Sequence, residues 1–224
     1  MKLVLLGISI LLTNGIYSQK NPRSLEVPWE TDTTKTSVEL ESFTALMMPD
    51  GIPPIDTPAF YLHDKGREEY FSFEPVLSVE FKGSSKAYPL SVMMYHEIVN
   101  DFIAVSGDTL YFTATYCPLC NSAMVFNRQL KFKNRSYLLD FGVSGMLRKS
   151  DMVMYDRQTE SWWQQFLGEA LVGDLLGAEL EFLASPVLSV KEYYELYPEG
   201  LMLSKNTGND FEYGHNPYVE YDNI

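Results

Sequence analysis

The chain has 224 residues, with 17 basic and 30 acidic side chains and a formal net charge of −13 at pH 7. An acidic excess of this size disfavours nucleic acid and anionic membrane surfaces as partners, because both repel a negatively charged protein. The sequence contains two cysteines, Cys117 and Cys120. A chain of this length buries enough apolar surface to fold without a disulfide framework, so the two cysteines need a local explanation.

The N-terminus has the pattern of an export signal. Lys2 precedes an apolar run from Leu3 to Leu12, after which the sequence turns polar. The run is shorter than the roughly 20 apolar residues that span a bilayer, and no later segment comes close. We therefore expect residues 1–18 to be a signal peptide. The mature protein is then exported, to the periplasm or the extracellular space, without a transmembrane segment.

The next segment lacks the periodicity of a helix or a strand. Residues 19–41 are rich in Ser, Thr, Glu and Lys, and residues 19–48 as a whole are predicted to form an extended N-terminal arm. Four prolines within residues 49–60 exclude a helix there and favour turns and polyproline-like backbone. Residues 49–224 are predicted to form a single globular domain.

Apolar and polar residues alternate in much of the chain after residue 75, which predicts short β-strands. A hairpin is expected from strands 76–82 and 86–90, around the turn Gly83-Ser84-Ser85. Residues 142–145, with the sequence GVSG, indicate a further turn. The other predicted strands, in chain order, are 110–117, 123–127, 137–141, 152–156, 161–166, 169–174 and 179–183.

Two short helices are predicted between these strands. Ser91 can cap a helix that runs to about residue 101, with His96 beside its apolar stripe. A capping box formed by Ser189 and Glu192 opens a second helix, which ends before Pro198. Many short strands without long alternating helices predict an α+β fold. It is mainly antiparallel β, as a sheet or a partly open barrel, with two or more short helices.

The stretch Cys117-Pro118-Leu119-Cys120 fits a β-turn, since proline pre-sets the backbone angle at the second position. Such a turn brings its first and fourth Cα atoms within about 7 Å, which allows a structural disulfide, a thiol–disulfide couple or a shared metal ion. A thioredoxin-like fold is disfavoured. Its CxxC motif begins a long helix, whereas the residues after Cys120 are rich in strand formers. The local sequence leaves the three uses of the thiols open.

A metal site needs further ligands. The histidines of the chain are His63, His96 and His215. His96 is the best placed, because its predicted helix leads into the strand that ends at Cys117. Two thiolates with a histidine suit a soft ion such as copper or zinc, although a histidine beside an apolar stripe is also typical of a satisfied core residue. No phosphate-binding glycine loop is visible, so no nucleotide cofactor is expected.

Several longer motifs occur in order: PDGIPPIDTPAF, EPVLSVE, AYPLSVMMYHEIVND, TYCPLCNSAMVFNR, FGVSGMLRKSDMVMYDRQTESWWQQFLGEALVG and YGHNPYVEYD. Together they cover residues 49–222 and resemble the bacterial and archaeal family called domain of unknown function 3179. The resemblance implies a shared site around the cysteine turn but no particular activity. One departure is His215, where the family pattern has arginine, which counts against His215 as a ligand. The pattern concentrates at His96, Glu97, Asn100, Asp101, Cys117, Pro118, Cys120, Asn121, Gly142, Ser144, Gly145, Ser150, Asp151, Tyr155, Asp156, Arg157, Thr159, Ser161, Trp163 and Gln164.

These observations give one leading hypothesis and two alternatives. The leading hypothesis is a protein that binds copper or zinc through Cys117, Cys120 and His96. The first alternative is a thiol–disulfide oxidoreductase of non-thioredoxin fold, with Cys117 and Cys120 as its redox pair. The second is a non-catalytic binding module in which the cysteines form a structural disulfide.

Polar positions of the family pattern supply the remaining candidates. Asp151 and Arg157 are expected to line the mouth of the cysteine pocket, unless Asp156 and Arg157 instead form an ion pair that orders a hairpin. The residues expected to line or support the pocket are Glu97, Asn121, Ser144, Asp151, Asp156, Arg157 and Trp163.

Overall fold

The computed structural model describes residues 29–219, so the predicted signal peptide and the first part of the arm lie outside the described residues. The described helices are α1 His63–Glu69, α2 Leu90–Met93 and α3 Val190–Leu196, with a 3₁₀ turn at Leu40–Ser42. None of these helices is long and apolar enough to cross a membrane. The strands, in chain order, are β1 Phe43–Ala45, β2 Phe60–Tyr61, β3 Pro75–Phe81, β4 Ser84–Pro89, β5 Ile98–Val105, β6 Asp108–Cys117, β7 Ser122–Asn127, β8 Gln129–Phe132, β9 Arg135–Leu138, β10 Phe141–Arg148, β11 Asp151–Asp156, β12 Trp162–Gln164, β13 Glu169–Val172, β14 Phe182–Leu183, β15 Val187–Ser189 and β16 Leu201–Leu203.

These strands form three larger sheets and one hairpin. The first sheet has the order β1-β10-β11-β12-β13, the second β14-β7-β6-β5 and the third β15-β3-β4-β16-β2, while β8 pairs with β9. The pairings between described strands are antiparallel apart from β16 with β4, which is parallel. The predicted α+β fold, mainly antiparallel β, is therefore confirmed. Of the two predicted arrangements, the described strands form sheets.

The second sheet contributes to a core on each of its faces. Successive side chains of a strand point to opposite faces. Along β6, Phe112, Ala114 and Tyr116 pack with the third sheet, whereas Cys117 packs with Phe141 and other residues of the first sheet. Cys117 therefore lies in the core between the first and second sheets, at the end of a central strand.

The predicted helix over residues 91–101 is wrong in most of its length. The helix α2 covers Leu90–Met93, and residues 98–105 form strand β5, which pairs with β6 along its whole length. Glu97 has a left-handed backbone with φ of 58°, which ends the helical path. The β-branched residues after it, including Ile98 and Val99, favour a strand and are fully buried in it.

The predicted turn at residues 142–145 is also wrong, because these residues lie inside strand β10. The pairing of β10 with β11 shifts register between Val143 and Met146, which marks a β-bulge. Gly145 has φ of 76°, and a Cβ there would overlap the backbone of Met47. Glycine is thus required by the bulge and by the close approach of the preceding segment.

The described part of the predicted arm packs on the first sheet. Residues 43–45 form β1, which pairs with β10, and Thr36 forms an isolated bridge with Val172 of β13. Phe43 is buried and lies edge to face against Trp162, with ring centroids 5.4 Å apart. These contacts attach residues 36–45 to the same sheet that carries β11 and β12.

Two local predictions are confirmed closely. The hairpin of β3 and β4 forms as predicted, although its turn is Lys82-Gly83 and Ser84 and Ser85 belong to β4. The capping box of α3 has both reciprocal hydrogen bonds between Ser189 and Glu192. The hairpin of β8 with β9 and the short helix α1 were not predicted.

Candidate functional site

The cysteine turn joins two strands of the second sheet. Cys117 is the last residue of β6 and is paired with Ser122, the first residue of β7. Pro118 to Asn121 form the loop, in which Asn121 has a left-handed backbone with φ of 51°. The Asn121 side chain accepts a hydrogen bond of 3.2 Å from the Tyr116 hydroxyl. The two cysteines therefore flank a tight loop, in which Asn121 is bonded to the strand that carries Cys117.

Both thiols meet a carboxylate from the first sheet. One ligand atom each of Cys117, Cys120 and Asp151 lie within 4.8 Å of one another. The Cys120 Sγ is 3.6 Å from Asp151 Oδ1 and 3.0 Å from the Ser122 hydroxyl. Cys117 and Asp151 are buried, with 1% and 6% of their surface exposed, while Cys120 is half-buried. We call this group of three donors the thiol–carboxylate cluster.

Neighbouring polar groups hold the cluster in place. The second oxygen of Asp151 accepts a 2.9 Å hydrogen bond from the backbone amide of Phe166. The Ser122 hydroxyl donates to Gln165 Oε1, and Gln165 Nε2 donates to Thr115 Oγ1 at 2.9 Å. Gln165 is fully buried, so this network is shielded from water. Ser122 and Gln165 were missed by the sequence analysis, although two glutamines directly after two tryptophans could have indicated buried polar side chains at the end of β12.

The environment of Cys117 favours its protonated form. Burial raises the pKa of the Cys117 thiol well above its usual range, and a hydrogen bond with the Cys120 thiol raises it further. A nucleophilic cysteine requires a shift in the opposite direction. A bound cation is one way to stabilise a thiolate in such a place.

The comparisons with known proteins identify the family. The family model described as "Protein of unknown function (DUF3179)" matches residues 49–224. The chain belongs to this family. The matched range contains the whole thiol–carboxylate cluster, so the cluster is part of the family's domain. Neither the curated proteins nor the solved structures contain a match to the chain.

His96, predicted as the third metal ligand, does not belong to the cluster. Its Nδ1 donates to the Pro53 carbonyl at 2.6 Å, and its Nε2 accepts from the Tyr213 hydroxyl at 2.7 Å. Burial lowers the pKa of His96, in keeping with a neutral ring. Both ring nitrogens are therefore occupied by hydrogen bonds. The wrong prediction for His96 has the same cause as the wrong helix over residues 91–101. Residue 96 lies in the turn between α2 and β5, where its side chain contacts the C-terminal segment.

Glu97 lies close enough to Cys117 to act on it electrostatically. It lies with Leu119 and Tyr218 around a small cavity of about 40 Å³, enough for a single water molecule. The Tyr218 hydroxyl donates to Glu97 Oε1 at 3.2 Å. Burial raises the pKa of Glu97 to about 7, and the bond from Tyr218 only partly offsets this. Glu97 therefore lines this small cavity, which neither cysteine lines, and its place in the cysteine pocket stays a prediction.

The raised pKa of Glu97 predicts a pH-dependent stability. The folded state holds the proton more tightly than the unfolded state, so the favourable contribution is complete below pH 4.5 and is lost as pH rises through about 7. The loss amounts to about 3 kcal/mol at most. We expect Glu97→Gln to stabilise the protein relative to wild type at pH 8 and much less at pH 4.5. Urea unfolding at both pH values measures this, with the exposed Glu68→Gln as control; a Glu97→Gln effect that does not change with pH contradicts it.

Arg157 does not lie at the mouth of the cysteine pocket, contrary to the prediction. It binds Asp56 at 2.8 Å and Asp50 at 3.4 Å. Asp151 and Asp156 stand at opposite ends of the extended strand β11. Each residue of a strand adds about 3.4 Å, so Arg157 is too far along the chain to share a pocket with Asp151. The alternative ion pair between Asp156 and Arg157 is not formed either.

The other predicted pocket residues have structural partners. Asp156 is fully buried and accepts hydrogen bonds from the Thr159 amide at 2.7 Å and from Trp163 Nε1 at 2.8 Å. The Ser144 hydroxyl donates to the Val153 carbonyl and accepts from the Met146 amide, which fixes the β-bulge. These three residues, Ser144, Asp156 and Trp163, stabilise the first sheet without entering the cluster.

Proposed function

We propose that the chain binds one zinc ion through Cys117, Cys120 and Asp151. The observation that carries the proposal is the meeting of three donor atoms within 4.8 Å, delivered by two different sheets. With zinc–sulfur bonds near 2.3 Å and zinc–oxygen bonds near 2.1 Å, two tetrahedral ligand atoms stand roughly 3.5 Å apart. The distance of 3.6 Å between Cys120 Sγ and Asp151 Oδ1 fits this spacing.

The mixed donor set favours zinc over other ions. Thiolates disfavour magnesium and calcium, which prefer oxygen ligands, and the carboxylate disfavours copper(I), which prefers sulfur. Zinc accepts both kinds of ligand. Asp151 takes part in none of the salt bridges between the described residues, so a bound cation would supply its missing countercharge.

Three protein ligands leave one tetrahedral position for water or another molecule, as in catalytic zinc sites. Cys120 is the least buried member of the cluster, so that position is reached from its side. We also propose that the protein is exported. In an oxidising compartment, zinc would keep the two neighbouring thiols from forming a disulfide.

Elemental analysis of protein purified under reducing conditions tests the metal site. We expect about one zinc per chain in the wild type and in His96→Gln, and a loss of zinc in Cys117→Ser and Asp151→Asn. Asp108→Asn, an exposed carboxylate paired with Lys82, is the matched control and retains zinc. Cobalt substitution should add thiolate absorption in the near ultraviolet. Zinc-free wild type, or full zinc content in Asp151→Asn, would overturn the proposal.

A second candidate is a thiol–disulfide couple, favoured by one observation. Both cysteines are free, and a half-exposed thiol stands beside a buried one. Asp151→Asn separates the two candidates, because it removes a metal ligand and leaves both thiols. A reduction potential well above about −300 mV, unchanged in Asp151→Asn, would support redox chemistry. A potential below that value would instead favour a stable structural disulfide between the two cysteines.

A further inference from the structure

A pocket of about 390 Å³ opens beside the exposed side of the cluster. Its walls include two of the proposed zinc ligands, Cys120 and Asp151, while Cys117 lies behind them in the core. The volume lies in the range of small-molecule sites. We call this the Cys120 pocket. A molecule in it would stand next to the free coordination position of the metal.

Two cations line the same pocket, Arg148 and Lys149. Arg148 is held by two neutral partners, with its guanidinium donating to Gln164 Oε1 at 2.6 Å and to the Ser42 hydroxyl at 3.1 Å. Lys149 is exposed in the turn between β10 and β11. Within residues 29–219, neither cation forms a salt bridge with an acidic side chain. Both positive charges are therefore available to a ligand of this pocket.

Both residues of the turn that carries Lys149 have a left-handed backbone, as do Lys133 and Asn134 in the turn between β8 and β9. Lys149 and Ser150 both have positive φ, 52° and 63°. Two-residue hairpin turns of this kind favour asparagine and glycine, which adopt such angles at little cost. Lysine and serine at these positions therefore cost some stability, and such strain is concentrated at functional sites. The turn keeps Lys149 at the pocket edge.

The charges of the pocket match a small anion. Two thiolates and one carboxylate carry three negative charges and a zinc ion carries two positive ones, so the zinc site has a net charge of −1. Arg148 and Lys149 add two positive charges, which makes the total +1. The remaining positive charge favours an anionic ligand. Arg148 binds oxyanions well, because its planar guanidinium matches carboxylate and phosphate groups. Phe166 and Leu167 give the pocket an apolar wall, with 58% and 48% of their surfaces exposed.

We propose that the Cys120 pocket binds a small organic oxyanion, a carboxylate or a phosphate ester, at the zinc ion. The inference rests on the proposed zinc site. The oxyanion faces Arg148 and Lys149, and the apolar part of the ligand lies against Phe166 and Leu167. This assigns a ligand class to the site without assigning a reaction.

Calorimetric titration of the zinc-loaded protein with benzoate, phenyl phosphate and benzamide tests the inference. Benzamide has the shape of benzoate without its charge, so we expect it to bind at least tenfold more weakly than the better of the two anions. Arg148→Gln should weaken anion binding at least tenfold and Arg148→Lys less. Arg135→Gln changes an exposed arginine of the separate β8–β9 hairpin, which does not line the pocket, so this control should change nothing.

Zinc content is measured on every sample, so that two failures can be told apart. A wild type without zinc overturns the proposed function, and this inference with it. A zinc-loaded wild type that binds none of the probes, binds benzamide as tightly as the anions, or binds the anions equally in Arg148→Gln overturns the inference alone. Loss of anion binding in zinc-loaded Arg148→Gln, with Arg135→Gln unchanged, supports it.

Discussion

Zinc at a thousand times its dissociation constant will raise the free energy of unfolding by about 4 kcal/mol. The gain arises because the folded chain brings Asp151 to the two thiols, whereas the unfolded chain does not. Asp151 is 31 residues from Cys120 in sequence, so the complete ligand set exists only after the first and second sheets pack together. The unfolded chain can still bind zinc weakly through Cys117 and Cys120, because these two residues are close in sequence. This binding lowers the gain in stability somewhat.

Urea unfolding in zinc buffers, with a reductant that does not bind zinc, measures this gain. Cys117→Ser should abolish it. Asp151→Asn should reduce it by an amount that grows with zinc concentration and levels off once zinc exceeds both dissociation constants. His96→Gln should keep it, because both nitrogens of His96 are hydrogen-bonded outside the cluster. Equal zinc stabilisation of wild type and Cys117→Ser would place the metal elsewhere.

The sequence predicts those features of the fold that depend on near neighbours. The hairpin of β3 with β4 follows from alternation around Gly83, and α3 begins where Ser189 and Glu192 cap each other. The helix predicted after Ser91 shows the limit of this reasoning. Its apolar spacing fits a helix, but the left-handed Glu97 and long-range pairing with β6 make a strand of its second half.

The candidate site also combines local features, which the sequence predicts, with long-range contacts, which it does not predict. The close approach of Cys117 and Cys120 is local, because Pro118 and the turn length determine it. Asp151 was predicted to line the pocket but not to bind the metal. Its contact with Cys120 depends on packing between two sheets, which periodicity does not reveal. His96 was chosen because consecutive elements usually pack together. In the structure its ring instead joins Pro53 to Tyr213.

Polar residues of the family pattern are the hardest to assign from sequence, since a functional and a structural polar residue look alike. Asp156 illustrates this. It was grouped with the pocket, yet its carboxylate binds Thr159 and Trp163 inside the first sheet. A mutation at Asp156 therefore tests the structural interpretation.

Asp156→Ala is expected to lower the free energy of unfolding by about 3–5 kcal/mol. The change leaves the Thr159 amide and the fully buried Trp163 indole without their acceptor, and it opens a small cavity. Asp156→Asn should cost less. Its oxygen can still accept from the Thr159 amide, but its amide nitrogen meets the Trp163 N–H as a second donor. The matched control is Asp174→Ala, whose carboxylate is exposed and paired with Lys35, and it should cost under about 1 kcal/mol.

Urea unfolding followed by tryptophan fluorescence gives these free energies. Zinc content, measured at urea concentrations well below the unfolding transition, shows whether a variant that is still folded has lost the metal. Strand β12 leads from Trp163 to Gln165 and Phe166, whose groups position Ser122 and Asp151. The Asp156 variants should therefore retain about one zinc per chain while folded, since no zinc ligand is changed. A variant that is stable but zinc-free would instead make Asp156 part of the metal site, and an Asp156→Ala loss no larger than that of Asp174→Ala would refute its structural role.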